Sequence, residues 1–152
     1  SGSGALRKDL DTEAVVREYH STGAGLAVVD DVLTPEALAL VRRVCLESTV
    51  WYEAKKSYLK ARLDDGLDQP VLRQIATELQ AKLAPLLKGH GLQELWAYKY
   101  SEAEGLGVHA DAAAVNARVD GDGGEDSGCD LGVVNTGTGD SAVETETDDD
   151  NF

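Results

Sequence analysis

The stretch Leu92-Gln-Glu-Leu-Trp-Ala-Tyr-Lys-Tyr100 decides the fold of this chain. Aromatic residues occupy every second position from Trp96 to Tyr100, and they alternate with Leu95, Ala97 and Lys99. A period of two is typical of a strand, in which successive side chains point to opposite faces. The sequence therefore predicts a strand over residues 92–100. Its aromatic face either packs on helices, which is the commoner arrangement, or lines a pocket.

Two amphipathic helices are predicted upstream of this strand. The first begins with Thr34 as N-cap and Pro35 at the first helical position. The second covers residues 70–87, where leucine and isoleucine keep the 3/4 spacing of a helix face, and Gly89 provides its exit. Both apolar stripes are predicted to form the core.

The N-terminal segment is predicted as a helix followed by a short strand. Residues 1–4, Ser-Gly-Ser-Gly, resemble an added linker and are left out of the fold. Residues 5–20 carry a rough helical stripe, and the Gly23-Ala-Gly25 run breaks it. Residues 26–29, Leu-Ala-Val-Val, are predicted as a short buried strand.

Charge divides the chain unequally. Residues 1–100 hold 13 Lys+Arg against 14 Asp+Glu, a net of −1, whereas residues 101–152 hold 1 against 14, a net of −13. A segment so acidic and so poor in large apolar groups buries too little surface to offset its ordering entropy. We therefore expect a globular body of helices and strands over residues 5–117, followed by an acidic Gly/Asp/Thr-rich tail over residues 118–152 that is mobile or loosely strand-like.

The triplet His109-Ala-Asp111 is a candidate metal site. An imidazole and a carboxylate two residues apart on a strand project from the same face, so both can bind one ion. A non-haem Fe(II) centre of the 2-His-1-carboxylate type uses such a pair together with a second His. The alternative interpretation is a surface His beside a loop carboxylate.

Residues 34–116 resemble a bacterial group of Fe(II)/2-oxoglutarate-dependent oxygenases related to the prolyl hydroxylases. The resemblance rests on short motifs in a fixed order: Leu33-Thr-Pro-Glu-Ala-Leu, Cys45-Leu-Glu-Ser-Thr-Val-Trp51, Tyr58-Leu-Lys-Ala-Arg-Leu-Asp-Asp-Gly66, Gln74-Ile-Ala-Thr-Glu-Leu79, and Leu95-Trp-Ala-Tyr-Lys-Tyr100 leading into Gly107-Val-His-Ala-Asp111. It implies that His109 and Asp111 bind Fe(II), with 2-oxoglutarate as co-substrate. The implied reaction is hydroxylation of a C–H bond in a small-molecule or peptide substrate.

The chain departs from the family pattern after this motif. Ala112 stands where the family typically has an aromatic residue, no His follows His109, and Arg118 is the only later basic residue. In the family, later strands carry the second His ligand and the Arg that binds 2-oxoglutarate. The expected fold is therefore α+β, with N-terminal helices packed on an incomplete double-stranded β-helix, a jelly-roll-like sheet. We expect such a chain to be inactive alone.

The remaining histidines and the cysteines carry weaker predictions. His20 is interpreted as a helix C-terminal residue that favours the helix dipole, and His90 as an exposed turn residue. Cys45 is predicted to be a buried thiol, and Cys129 a thiol of low reactivity in an acidic loop. A disulfide between the two cysteines is the alternative.

Composition argues against several classes of function. The negative charge opposes nucleic-acid binding. Residues 120–126 lack the ligand order of an EF-hand loop. They also do not form a phosphate-loop motif, because no Gly-Lys-Ser/Thr follows the glycines. With no long apolar run or signal peptide, the expected location is cytoplasmic, away from membranes. The alternative to the oxygenase is a non-catalytic binding module whose acidic tail attracts basic protein partners or cations.

Overall fold

The computed structural model describes residues 4–54, 58–100, 115–121 and 129–137. The helices are α1 (Thr12–Ser21), α2 (Pro35–Glu47), α3 (Pro70–Lys82) and α4 (Ala84–Leu87). The strands are β1 (Glu53–Ala54), β2 (Tyr58–Arg62), β3 (His90–Tyr100), β4 (Val115–Gly121) and β5 (Cys129–Gly137), and a wide turn over Leu63–Leu67 follows β2. No helix in these ranges is long and apolar enough to cross a membrane.

The described strands form one antiparallel sheet in the order β1-β2-β3-β5-β4. The predicted strand over 92–100 is confirmed as the main part of β3, the longest of the described strands. Its pairing with β5 shifts register between Leu92 and Glu94, an irregularity of the kind that bends a strand. The expectation of helices combined with an antiparallel sheet is confirmed, and the sheet is open.

The core lies on one face of this sheet. Ala61 of β2 and Ala97 of β3 are register partners with 0% and 1% of their surface exposed. They share a core cluster with Leu95 and with apolar residues of α2 and α3: Ala37, Val41, Cys45, Val71, Leu72, Ile75, Ala76 and Leu79. Because side chains alternate along β3, Trp96 and Tyr98 point to the opposite face. The prediction that the aromatic row packs on the helices is therefore wrong.

The N-terminal segment begins as an extended stretch. The expected helix over 5–20 starts only at Thr12, where Asp11 caps it by accepting a hydrogen bond from the backbone N–H of Ala14. Leu6 is buried and pairs with Leu33 through an isolated antiparallel bridge. Helical spacing was misleading at this position because Leu6 is buried by pairing with a distant segment.

Glu78 on α3 holds the extended segment in place. Its Oε1 accepts from the backbone N–H of Ala5 at 2.9 Å and its Oε2 from that of Leu6 at 2.8 Å, while the side chain of Gln74 donates to Oε1 at 2.8 Å. Burial raises the pKa of Glu78, but these hydrogen bonds outweigh it, so the pKa of the carboxyl is lowered. The ionised carboxylate therefore stabilises the docking of the N-terminal segment.

The segment over residues 26–29 is not a buried strand. Leu26 and Val28 are 59% and 70% exposed, and the segment pairs with no described strand. The backbone N–H of Leu26 donates to Thr22 Oγ1, and that of Val28 donates to Glu18 Oε1 at 3.4 Å. The prediction failed because apolar composition alone cannot show whether a neighbouring strand is available.

Both longer helices begin as predicted. Thr34 caps α2, its side chain accepting from the N–H of Ala37, and Pro35 is the first helical residue. The helix predicted over 70–87 is divided into α3 and α4 at Leu83. Pro85 explains the division, because a proline ring clashes with the carbonyl four residues earlier. Gly89 confirms the predicted exit, with a φ of 86°.

Two strands extend into the predicted acidic tail. The expected boundary after residue 117 falls inside β4, and β5 lies wholly beyond it, between β3 and β4. Residues up to 137 therefore contribute to the sheet, and Cys129 is the first residue of β5 rather than part of a loop. Residues 138–152 lie outside the described residues, so the predicted character of that segment stays a prediction.

Cys45 is disulfide-bonded, so its interpretation as a free buried thiol is wrong. The residue is 6% exposed and belongs to the core cluster on α2. Disulfides persist mainly in oxidising compartments. A disulfide at Cys45 does not favour the predicted cytoplasmic location, which stays a prediction.

Glu78→Gln should lower the free energy of unfolding by about 1 kcal/mol, because the neutral amide can accept only one of the two backbone N–H bonds well. Urea denaturation measures the change. Glu13→Gln, an exposed neutralisation on α1, should stay within about 0.5 kcal/mol of the parent chain. An equal loss in both variants would contradict the anchoring role of Glu78.

The same contact should make stability depend on pH. Because the pKa of Glu78 is lowered on folding from an ordinary value of 4.5, its contribution is complete above that value and is lost as pH falls through the lowered pKa. The stability difference between the parent chain and Glu78→Gln should therefore shrink in acid.

Reduction of the disulfide should lower stability by about 2–4 kcal/mol. Thermal unfolding with and without a reductant measures this effect. Cys45→Ala should be less stable than the oxidised parent and should show no response to the reductant. A parent chain that is equally indifferent to reductant would show that the disulfide does not stabilise the fold.

Candidate functional site

The predicted metal ligands His109 and Asp111 lie outside the described residues. The structure describes β3, which leads into their segment, and β4, which begins at Val115 shortly after them. Within the described ranges, no group of three or more His, Cys, Asp or Glu side chains is arranged to hold a metal ion. The prediction of iron binding at His109 and Asp111 is therefore neither supported nor opposed by the fold.

The described strands β2 and β3 carry an aromatic face. The rings of Trp96 and Tyr98 lie 4.8 Å apart at 60°, and those of Tyr58 and Tyr98 lie 5.4 Å apart at 75°. Lys60, the register partner of Tyr98, places its Nζ 5.8 Å from the centre of that ring. Tilted rings at these separations attract each other, and a cation over a ring adds to the stabilisation.

An ion pair between Arg62 and Glu94 lies beside the rings of this aromatic face. Arg62 Nη2 donates to Glu94 Oε1 at 2.6 Å, and the two side chains are 30% and 31% exposed. Arg62 is the register partner of Trp96, so Glu94 is its diagonal neighbour on the same face. Half-buried and charge-assisted, this hydrogen bond fixes the position of the guanidinium beside Trp96.

The aromatic face combines flat rings with two cationic side chains, Lys60 and Arg62. Such a surface suits flat groups, although Trp96 is only 8% exposed and mainly supports the other rings. Glu94 on the same face balances the charge of Arg62. Sequence reasoning found the aromatic residues and missed the two cations on β2. Their signal was the alternation in Tyr58-Leu-Lys-Ala-Arg62, which also has a period of two.

The two upstream histidines, His20 and His90, lie in α1 and at the start of β3. His20 lies in the last turn of α1, as predicted, with its ring 5.6 Å from that of Tyr19. His90 is not an exposed turn residue, because it begins β3 and is half-buried. Its backbone carbonyl accepts from Gln80 Nε2 at 2.7 Å, and its Nδ1 is buried with no hydrogen-bond partner among the described residues.

Comparison with protein families, with curated proteins and with solved structures gave no match to this chain. The resemblance to Fe(II)/2-oxoglutarate oxygenases therefore rests on the sequence motifs alone.

Tyr98→Leu should lower the free energy of unfolding by about 1–2 kcal/mol, because it removes two ring contacts and the ring over which the Lys60 ammonium lies. Chemical denaturation checks this value. Tyr52→Leu is the matched control, since Tyr52 is 75% exposed; it should change stability by less than about 0.5 kcal/mol. Equal effects would mean that the ring contacts of Tyr98 do not stabilise the fold.

Proposed function

We propose that this chain is a homologue of the Fe(II)/2-oxoglutarate-dependent oxygenases in which only part of the metal site is present. The observation that carries the proposal is the ordered set of motifs ending in Gly107-Val-His-Ala-Asp111. The fold is compatible with it, because helices cover one face of an antiparallel sheet and the aromatic face lies on the other.

In this proposal the open sheet corresponds to part of a double-stranded β-helix. In a jelly roll, a second sheet covers the face of the first. The face available for such a sheet is the one that carries Trp96 and Tyr98, since Leu95 and Ala97 face the helices. A ligand pocket would then lie against the aromatic face.

Each predicted ligand has a defined role. The imidazole of His109 and the carboxylate of Asp111 would bind Fe(II), and a bound Fe(II)/2-oxoglutarate pair supplies dioxygen activation for hydroxylation of a C–H bond. Two protein ligands leave the 2-His-1-carboxylate set one short. No His follows His109 in the sequence, and Arg118 is the only later basic residue.

The substrate class implied by the resemblance is a small molecule or a peptide. The missing His and Arg lead us to infer that the chain alone does not turn over 2-oxoglutarate. Its inactivity would follow from an incomplete ligand set and an unanchored co-substrate, with the scaffold itself intact.

Anaerobic titration of the metal-free protein with Fe(II) and 2-oxoglutarate tests the incompleteness. We expect no saturable visible charge-transfer band and no succinate after oxygen is admitted, because the second His and the Arg are absent. A saturable band that Asp111→Ala abolishes would overturn the inference that the site is incomplete.

Co(II) alone tests the proposed ligand pair. Visible absorbance should report Co(II) bound to an imidazole, and His109→Ala should weaken that binding by about tenfold or more, as losses of metal-site residues commonly do. His20→Ala, which removes an exposed histidine from α1, should leave it unchanged. Binding that is indifferent to His109→Ala would overturn the metal site itself.

A second candidate function is supported by the charge of the chain. Residues 138–152 contain six carboxylates and no basic residue, and residues 101–152 have a net charge of −13. Such a segment attracts basic partners or cations over a long range. This function is non-catalytic, and it does not depend on His109.

A chain ending at Gly137, which keeps β5, should bind a polylysine probe more weakly than the full chain. The difference should be large at low salt and small near 0.5 M salt, because exposed charges are then screened within about 4–5 Å. Fluorescence titration measures it. A full-length control with the six carboxylates changed to amides should match the truncated chain, and unchanged binding in both would eliminate this function.

A further inference from the structure

The segment over residues 25–29 has the geometry of an unpaired strand. No turn or bend interrupts these residues, and their exposure alternates: Leu26 and Val28 are exposed, whereas Gly25, Ala27 and Val29 are half-buried. A period of two is that of an extended chain, in which the N–H and C=O groups of alternate residues point to the same side. The segment therefore has two distinct backbone edges.

One of these edges is bonded to α1 and the turn after it. The backbone N–H of Leu26 donates to Thr22 Oγ1 at 3.1 Å, and its carbonyl accepts from the same hydroxyl at 3.0 Å. The N–H of Val28 donates to Glu18 Oε1. The N–H and C=O groups of Ala27 and Val29, which lie on the other edge, have no hydrogen-bond partner among the described residues. We call this second side the outer edge.

Residues 26–29 lack the residue types that usually protect a strand edge. Those types are proline and charged side chains, above all lysine, whereas the four residues here are Leu, Ala, Val and Val. Valine also favours the strand conformation. An edge of this composition suits strand addition, in which main-chain hydrogen bonds supply affinity and alternate side chains supply specificity.

The exposed face of the segment indicates which side chains an added strand would carry. Leu26, Val28 and Asp30 alternate on this face, and all three are exposed. In an antiparallel pair, Ala27 and Val29 would form the hydrogen-bonded pairs, and Val28 would face a partner residue in the closer, non-hydrogen-bonded pair. The residues opposite Leu26 and Val28 would therefore be apolar, and the residue opposite Asp30 would be basic.

We propose that residues 26–29 bind an extended peptide segment of a partner protein as an added antiparallel strand, and that this segment has the pattern basic-x-apolar-x-apolar. The outer N–H and C=O groups of Ala27 and Val29 form four main-chain hydrogen bonds with it. Asp30, which has no ion-pair or hydrogen-bond partner among the described residues, pairs with the basic side chain. The proposal depends neither on His109 nor on residues 138–152.

A second copy of the chain fits the outer edge less well. A two-fold axis through Val28 would pair Ala27 with Val29 of the other copy, and the same register would place Leu26 opposite Asp30. Each copy also has a net charge of −14, so two copies repel each other. Residues 138–152, with six carboxylates and no basic residue, would be repelled by Asp30 for the same reason.

Amide hydrogen exchange of the full chain, followed by NMR, tests the proposal with the acetylated and amidated peptide Lys-Thr-Val-Thr-Val-Thr at about 0.15 M salt. In the free protein the amides of Ala27 and Val29 should exchange fast, because they have no acceptor. Peptide should slow both by about tenfold when roughly nine-tenths of the protein is bound. The amides of Leu26 and Val28, which are bonded on the other edge, should change little.

Matched variants separate backbone pairing from charge. The same peptide N-methylated at its first two threonines keeps its charge but loses the two donors that face the outer edge, so its affinity should fall by about tenfold or more. In the protein, Ala27→Pro removes one outer donor and should weaken binding about fivefold, whereas Ala27→Ser keeps that donor and should bind like the parent chain. Asp30→Asn should weaken binding about twofold to threefold, and Glu13→Gln on α1 should leave it unchanged.

Each of four results would overturn the proposal. Slow exchange at Ala27 and Val29 in the dilute free chain would show that the outer edge is already paired within the chain. Protection that increases with protein concentration would assign the edge to a second copy. Equal affinity for the plain and N-methylated peptides would assign the binding to diffuse charge. The fourth result is exchange at Ala27 and Val29 that millimolar peptide does not slow.

Discussion

The alternation of side chains along β3 is the constraint on which the rest of the structure depends. Ala97 and its partner Ala61 present a flat, small surface that allows α2 and α3 to approach the sheet closely, and Leu95 and Ile75 fill the space beside it. The same alternation places Trp96 and Tyr98 on the reverse side. A one-residue slip of β3 would exchange the two faces, burying bulky rings under the helices and exposing the alanines. The register of β3 therefore determines which face of the sheet can pack against α2 and α3.

Much of the local structure could be predicted because its causes are local. Thr34 and Pro35 define a helix start by their own chemistry, and Gly89 defines an exit because it adopts a positive φ at little cost. What could not be predicted depends on distant segments. Leu6 is buried by its pairing with Leu33, and Leu26 is exposed because no described strand pairs with its segment.

The candidate sites show the same division. The aromatic face was visible in the sequence as a period of two, but the register that brings Lys60 against Tyr98 is a property of the sheet. His109 and Asp111 were identified from motifs, and their geometry lies outside the described residues.

The order of strands in the sheet has a consequence for how the protein folds during synthesis. Among the described strands, β4 pairs only with β5, although it precedes β5 in the chain. When β4 leaves the ribosome it has no neighbour with which to form hydrogen bonds, and β3 has an open edge until β5 arrives. The pairing of the described strands can be completed only after residue 137 has emerged, so until then β3 keeps an unprotected strand edge. A nascent chain of this design is most exposed to aggregation just before β5 is made.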